Sequence, residues 1–82
     1  MTKTPTQLVV DYGERLWGPN WVQPFSRFAD VNDRTLRRCK RAAEAGDDHS
    51  SSVGALIQLR DALFDAAEEL EDALTDEMTP IH

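Results

Sequence analysis

The apolar positions of this chain recur at helical spacing in four stretches, and the last stretch has the longest pattern. From Leu56 onward, apolar residues are separated alternately by three and four positions, which is heptad spacing. They are Leu56, Leu59, Leu63, Ala66, Leu70 and Ala73. Ile57, Phe64, Ala67 and Leu74 widen the stripe, and acidic residues occupy the other side. The pattern predicts an amphipathic helix over about 53–75, roughly 33 Å long, followed by a flexible tail at 76–82.

The first predicted helix has a clear start signal. Thr4 is a good cap, Pro5 suits the first helical position, and Gln7 stands three residues after the cap. Apolar residues then follow helical spacing, namely Leu8, Val9, Tyr12 and Leu16. The Gly-Pro-Asn run at 18–20 is a turn signal that ends this helix.

Two shorter helices are predicted between these, with a break at residues 30–32. The second covers about 21–29, and the third runs from a cap at Asn32 or Asp33 to about Ala45. Gly46 stops the third helix, and residues 47–52 form a polar loop. Since no stretch has a strand pattern, we expect an all-α domain of four helices over residues 1–75.

Size and composition restrict the classes of function. A chain of 82 residues is enough for one small domain, for which a second subunit is a natural source of extra burial. Its single cysteine, Cys39, allows no intrachain disulfide and no Cys-rich zinc site, which fits a reducing compartment. With no long apolar run and no signal-peptide pattern, we expect a cytoplasmic protein without a membrane partner.

Catalysis and metal binding find little support in the residues. The run Asp47-Asp48-His49 is the nearest approach to a metal cluster, but consecutive residues cannot all point inward without a folded loop. There is no second histidine cluster and no oxyanion motif. We therefore expect no enzyme activity, no metal and no cofactor, and Cys39 is expected to be a buried small apolar residue.

The charges are strongly segregated, so the net charge of −6 gives an incomplete description. Residues 21–41 have a net charge of +4, whereas residues 42–82 have a net charge of −10. This asymmetry predicts a basic working surface beside an acidic, solvated one.

Four arginines share one face of the third helix. Arg34, Arg37, Arg38 and Arg41 occupy positions i, i+3, i+4 and i+7, opposite the apolar Leu36, Cys39 and Ala43. Because like charges at this spacing repel one another, such a face is typical of a helix that meets an anion. Arginines on a helix can bind guanine edges in the DNA major groove. The alternative is a solvated face whose cations pair with acids of the fourth helix.

The short second helix, the tight turn and the arginine-bearing helix predict a helix-turn-helix motif over about 21–45. The run YGERLWGPNW at 12–21, followed by FSRFADVNDRTLRR at 25–38, resembles small DNA-binding proteins of bacteria and phages in the Cro/C1 repressor (Xre-like) group. The resemblance covers about residues 8–46. It implies that Val31, Leu36 and Cys39 are core positions. That family usually has a glycine in the turn, where this chain has Asp30.

The resemblance also implies a DNA-facing set of residues. It comprises Asn32, Asp33, Arg34, Thr35, Arg37, Arg38 and Arg41. We expect helix 33–45 to enter the major groove, with Arg34, Arg37 and Arg38 nearest the base edges. Phosphate contacts are expected from Arg27, Lys40 and Arg41, with an affinity that falls as salt rises. The predicted function is transcriptional regulation through double-stranded DNA.

The fourth helix is too long for the other three to cover. Leu56, Leu59 and Leu63 are expected in the core, as are the aromatic residues Trp17, Trp21, Phe25 and Phe28. The outer residues Phe64, Ala67, Leu70 and Leu74 are expected to bind a second copy, giving a homodimer that reads a two-fold symmetric or repeated site.

Three alternatives remain open at this stage. The protein could be a DNA-recognition subunit of a phage machine, similar to a terminase small subunit, in which the acidic helix builds a ring. It could instead be an interaction module whose acidic helix imitates DNA. An enzyme is the third alternative, although no residue indicates its substrate.

Overall fold

The computed structural model describes residues 2–78, with side chains described as far as residue 75, and contains four α-helices in that range. They are α1 (Pro5–Trp17), α2 (Val22–Ala29), α3 (Asp33–Glu44) and α4 (Ser52–Met78). Since no strand occurs among the described residues, the predicted all-α, four-helix class is confirmed. Helix α4 continues three residues past the predicted boundary at 75. The remainder of the expected tail, 79–82, lies outside the described residues.

Helix α1 begins with the predicted capping box. The Thr4 hydroxyl accepts from the Gln7 backbone N–H at 3.2 Å, and the Gln7 side chain accepts from the Thr4 backbone N–H at 3.1 Å. Pro5 occupies the first helical position, where no N–H is needed. At the other end, Gly18 has φ 81° and its N–H donates to the Glu14 carbonyl. These local signals fix both ends of the helix.

The turn between α2 and α3 is held by side chains as well as by the backbone. Asp30 adopts the left-handed conformation (φ 55°, ψ 47°), as expected where the resembling family has glycine. The Ser26 hydroxyl donates to the Val31 carbonyl at 2.6 Å, and the Val31 N–H donates to the Ser26 carbonyl at 3.1 Å. The Asn32 side chain then caps α3 by accepting from the Arg34 N–H at 2.8 Å. The direction of α3 is therefore set within three residues.

The core lies where the four helices meet. Its buried apolar residues are Val9, Trp21, Phe25, Ala29, Val31, Leu36, Cys39, Ala55 and Leu59. The implied core positions Val31, Leu36 and Cys39 are thus confirmed.

Two expected core residues are corrected, because Phe28 and Leu63 are exposed. One edge of the Phe28 ring contacts Trp17 and the rest faces outward, whereas Leu63 lies on a part of α4 that the other helices cover incompletely.

A glycine in α1 makes room for the largest core side chain. An ideal Cβ on Gly13 would lie 2.4 Å from Cε3 of Trp21, closer than any real contact. The Trp21 ring, which is fully buried, therefore packs directly on the α1 backbone. Gly13 is a packing requirement of this core, and not merely a weak point in the helix.

A buried polar network attaches the α3–α4 loop to α1. The Thr6 hydroxyl donates to the Asp48 carboxylate and accepts from the His49 backbone N–H at 2.7 Å. Since its only proton goes to Asp48, the Ser52 hydroxyl, 2.7 Å away, must donate to Thr6. The Cys39 thiol, 3.4 Å from the Ser52 oxygen, must then donate to Ser52. The hydrogen bonds form a directed chain from Cys39 to Asp48.

Candidate nucleic-acid interface

The two faces of α3 are separated as the sequence predicted. Leu36 and Cys39 are fully buried against the other helices. Four arginines are exposed on the opposite side, and we call them the arginine face: Arg34, Arg37, Arg38 and Arg41. At about 100° per residue, they fall within one arc of the helix surface. The packing of α3 therefore leaves all four guanidinium groups accessible to a ligand.

The ion pairs of the described residues leave most of this face unneutralised. Arg37 pairs with Asp33 one turn earlier, at 3.3 Å, and both side chains are exposed. Within residues 2–75, the other three arginines form no ion pair, and no acid of α4 pairs with the arginine face. The solvated-face alternative requires pairing with acids of α4, and none of the described acids of that helix forms such a pair.

The residues at the start of α3 have local partners. Asn32 uses its side-chain oxygen as the helix cap, and Asp33 contacts both Arg37 and the Gln23 amide, 3.4 Å away. Thr35 is half-buried. Asn32 and Asp33 therefore orient the first turn of α3 beside the arginine face, whatever they contact in a complex.

The other predicted cations, Arg27 on α2 and Lys40 on α3, are also exposed. Lys40 and Arg37 line a shallow cleft of about 310 Å³ together with residues from the α1–α2 turn and the start of α2. Those residues are Pro19, Asn20, Val22 and Gln23. In the sequence, residues 18–20 are recognisable only as a turn, because their position next to α3 depends on how α1 and α3 pack.

Helix α4 leaves a large apolar surface uncovered. Phe64 and Leu70 are 63% and 61% exposed, and Leu74 is half-exposed. With the exposed Ala67, they form what we call the outer stripe: Phe64, Ala67, Leu70 and Leu74. These are the residues that the sequence assigned to self-association.

An apolar groove of about 570 Å³ lies between α1 and α4. Leu8 and Tyr12 line it from α1, and Leu56, Leu63, Phe64 and Ala67 are among the residues that line it from α4. Tyr12 and Leu16, expected on the apolar face of α1, are both exposed, and Val9 reaches the core. Leu8, Tyr12 and Leu16 stand at positions i, i+4 and i+8 of α1, next to the side of the helix that carries buried Val9. This spacing was the sign in the sequence that α1 has a second apolar surface.

Asp48 and His49, in the loop before α4, have structural partners. Asp48 accepts from Thr6, and His49 Nδ1 accepts from the Ser51 N–H at 3.1 Å. No cluster suited to a metal ion occurs among the described residues. In the same part of the chain, no helix combines the length and the apolar character needed to cross a bilayer.

Comparison with known proteins gives no assignment. No family model, no curated protein and no solved structure matches this chain. The function must therefore be inferred from the surfaces just described.

Proposed function

We propose that this protein is a sequence-specific DNA-binding transcriptional regulator of the cytoplasm, with α3 as its major-groove helix. The observation that carries the proposal is the arginine face, exposed and largely unneutralised opposite a buried apolar face. In this proposal Arg34, Arg37 and Arg38 reach base edges, and Arg27, Lys40 and Arg41 contact phosphates. The resemblance of residues 8–46 to Cro/C1 (Xre-like) proteins supports the same role.

The electrostatics of α3 favour a polyanion as its ligand. The four arginines lie within eight residues, or about 10 Å of helix, so their mutual repulsion is relieved when phosphates lie nearby. Breaking the Arg37–Asp33 pair costs little, because exposed ion pairs contribute about 1 kcal/mol or less. Arg37 can therefore leave the Asp33 carboxylate and bind a guanine edge instead.

We further propose that the protein binds DNA as a homodimer through the outer stripe of α4. A large uncovered apolar stripe on a small domain gives a second copy the surface to bury. Two recognition helices related by a two-fold axis would read two half-sites about one helical turn apart.

The first experiment is fluorescence anisotropy with a pool of random duplex DNA at two salt concentrations, followed by sequencing of the bound fraction. We expect enrichment of a two-fold symmetric site and an affinity that falls as salt rises. Absence of binding even at low salt would contradict the proposal and direct attention to a protein ligand for the arginine face.

The roles of individual arginines are tested by Arg37→Ala combined with Arg38→Ala. Since each bidentate base contact contributes about 1–3 kcal/mol to discrimination, we expect the affinity for the enriched site to fall at least tenfold. The preference over random DNA should fall with it. Both side chains are exposed, so the helical circular dichroism should not change.

The matched control is Lys3→Ala combined with Gln58→Glu. It changes the net charge by the same −2 at exposed positions outside α3. If the control weakened binding as much as the arginine variant, the effect would be one of overall charge and α3 would lose its assignment.

A further inference from the structure

We infer that the α1–α4 groove is the receptor for the partner's α4 in a reciprocal dimer of this chain. The inference rests on the proposed dimer and adds its second surface: the outer stripe of one copy lies in the groove of the other. Helix α1 then contributes Leu8 and Tyr12 to the dimer interface.

The groove and the stripe match in length. Along α4 the groove extends from Leu56 to Ala67, a rise of about 16 Å, and the outer stripe extends from Phe64 to Leu74, about 15 Å. Both surfaces are apolar, and Arg60 is the one charged residue among the described residues that line the groove. A helix of this chain's own composition therefore fits the groove in both length and polarity.

The charges favour the same occupant. Beyond Arg60, the described side chains of α4 include six acids and no base: Asp61, Asp65, Glu68, Glu69, Glu71 and Asp72. Arg60 lines the groove and already donates to its neighbour Asp61 at 3.1 Å. Arg15, which forms no ion pair with the described residues, lies next to the groove with its guanidinium 5.0 Å from the centre of the Tyr12 ring. An incoming acidic α4 places carboxylates near these cations, whereas a basic helix would meet them with repulsion.

Two-fold symmetry then fixes the direction of the helices. The C-terminal half of each α4 must lie against the N-terminal half of the other, and this is reciprocal only if the two helices run antiparallel. Phe64 and Ala67 belong to both the groove and the stripe, so they lie near the two-fold axis. This arrangement closes at two copies and leaves no free groove for a third.

The test measures molecular mass by sedimentation equilibrium without DNA, so its result does not depend on the DNA proposal. We expect the wild-type chain to be a dimer and Tyr12→Glu to raise the dissociation constant at least about tenfold. Phe28→Glu is the matched control, because Phe28 is an aromatic residue of the same exposure as Tyr12 (38%) but lies on α2 and does not line the groove. It should dimerise like the wild type.

Three outcomes would overturn the inference: a monomeric wild type, an assembly larger than a dimer, or a Tyr12→Glu variant that dimerises normally while Leu70→Glu does not. The last result would place the interface on α4 alone.

A second measurement applies if Tyr12→Glu loses its helical signal. Chains carrying Tyr12→Cys are mixed with chains carrying Leu70→Cys and treated with a bismaleimide. Native Cys39 is fully buried and does not compete. Predominance of the mixed product supports the antiparallel groove, and predominance of Leu70→Cys homodimers overturns it.

Discussion

Gly13 lies in the middle of α1, with the indole ring of Trp21 against its backbone. Helix propensity alone would favour alanine here by about 1 kcal/mol. Because the added Cβ would lie 2.4 Å from the ring, the ring would have to move, and the ring is fully buried. Packing therefore outweighs propensity at this residue.

We expect Gly13→Ala to lower the free energy of unfolding by about 1–3 kcal/mol, the usual cost of overpacking a core. Gly54→Ala is the control, since its Cβ would meet nothing within 4 Å. It should leave stability unchanged or raise it by up to about 1 kcal/mol. Urea denaturation at one fixed protein concentration makes the comparison. Equal effects of the two variants would contradict the role assigned to Trp21.

Thr6 is the other residue with a decisive structural role, because three groups depend on its hydroxyl. Thr6→Val removes the oxygen that accepts from the Ser52 hydroxyl and from the His49 N–H. It also removes one of the hydrogen bonds that the Asp48 carboxylate accepts. We expect a loss of at least about 1–3 kcal/mol in unfolding free energy.

Thr6→Ser serves as the comparison for Thr6→Val. It retains the hydroxyl and removes one methyl group, which should cost about 1 kcal/mol. If the valine variant were as stable as the serine variant, the hydrogen-bond chain would not contribute measurably.

Among the elements, the turn between α2 and α3 depends most on one backbone conformation. Asp30 has φ 55°, where an L-residue with a Cβ is disfavoured and glycine is not. We expect Asp30→Ala to destabilise the fold by about 1 kcal/mol and Asp30→Gly to be neutral or slightly stabilising. Thermal unfolding followed by circular dichroism distinguishes the two. Equal melting temperatures would mean that the turn relaxes out of the left-handed region.

The helices were predictable because their determinants are local. The Thr4 capping box, the Asn32 cap and Gly46 after α3 each act within a few residues, and the structure contains all three features. The buried side of α3 was also correct, since the arginines leave only one apolar face. Local sequence thus placed both the helices and the exposed cations.

The contacts between helices were harder to predict, because they depend on which of several apolar faces finds a partner. Helix α1 has apolar residues over more than half of its circumference, and Val9 reached the core whereas Tyr12 did not. Similarly, Leu63 was expected inside and is 40% exposed. The partner helix decides such cases, and no local signal identifies it. The groove and the cleft beside Arg37 could not be read from the sequence for the same reason.

At the scale of the whole molecule, the chain is elongated, measuring 58 × 28 × 21 Å. The long dimension follows from α4, in which residues 63–75 are exposed except for the half-buried Ala66. The compact core lies at one end, and the acid-rich half of α4 extends from it. The two surfaces proposed to bind partners are therefore on different elements, so each can be altered without the other.

The segregation of charge has a consequence for the proposed binding to DNA. A net charge of −6 alone would repel a phosphate backbone. However, the exposed cations of α3 give that side of the molecule a local positive field, whereas the described acids beyond Arg60 lie along α4. In the proposed complex, the phosphates of the duplex attract this positive side before contact, as in electrostatic steering. The association rate should therefore respond to ionic strength more steeply than the net charge suggests, because salt at 0.1 M screens this local attraction beyond about 10 Å.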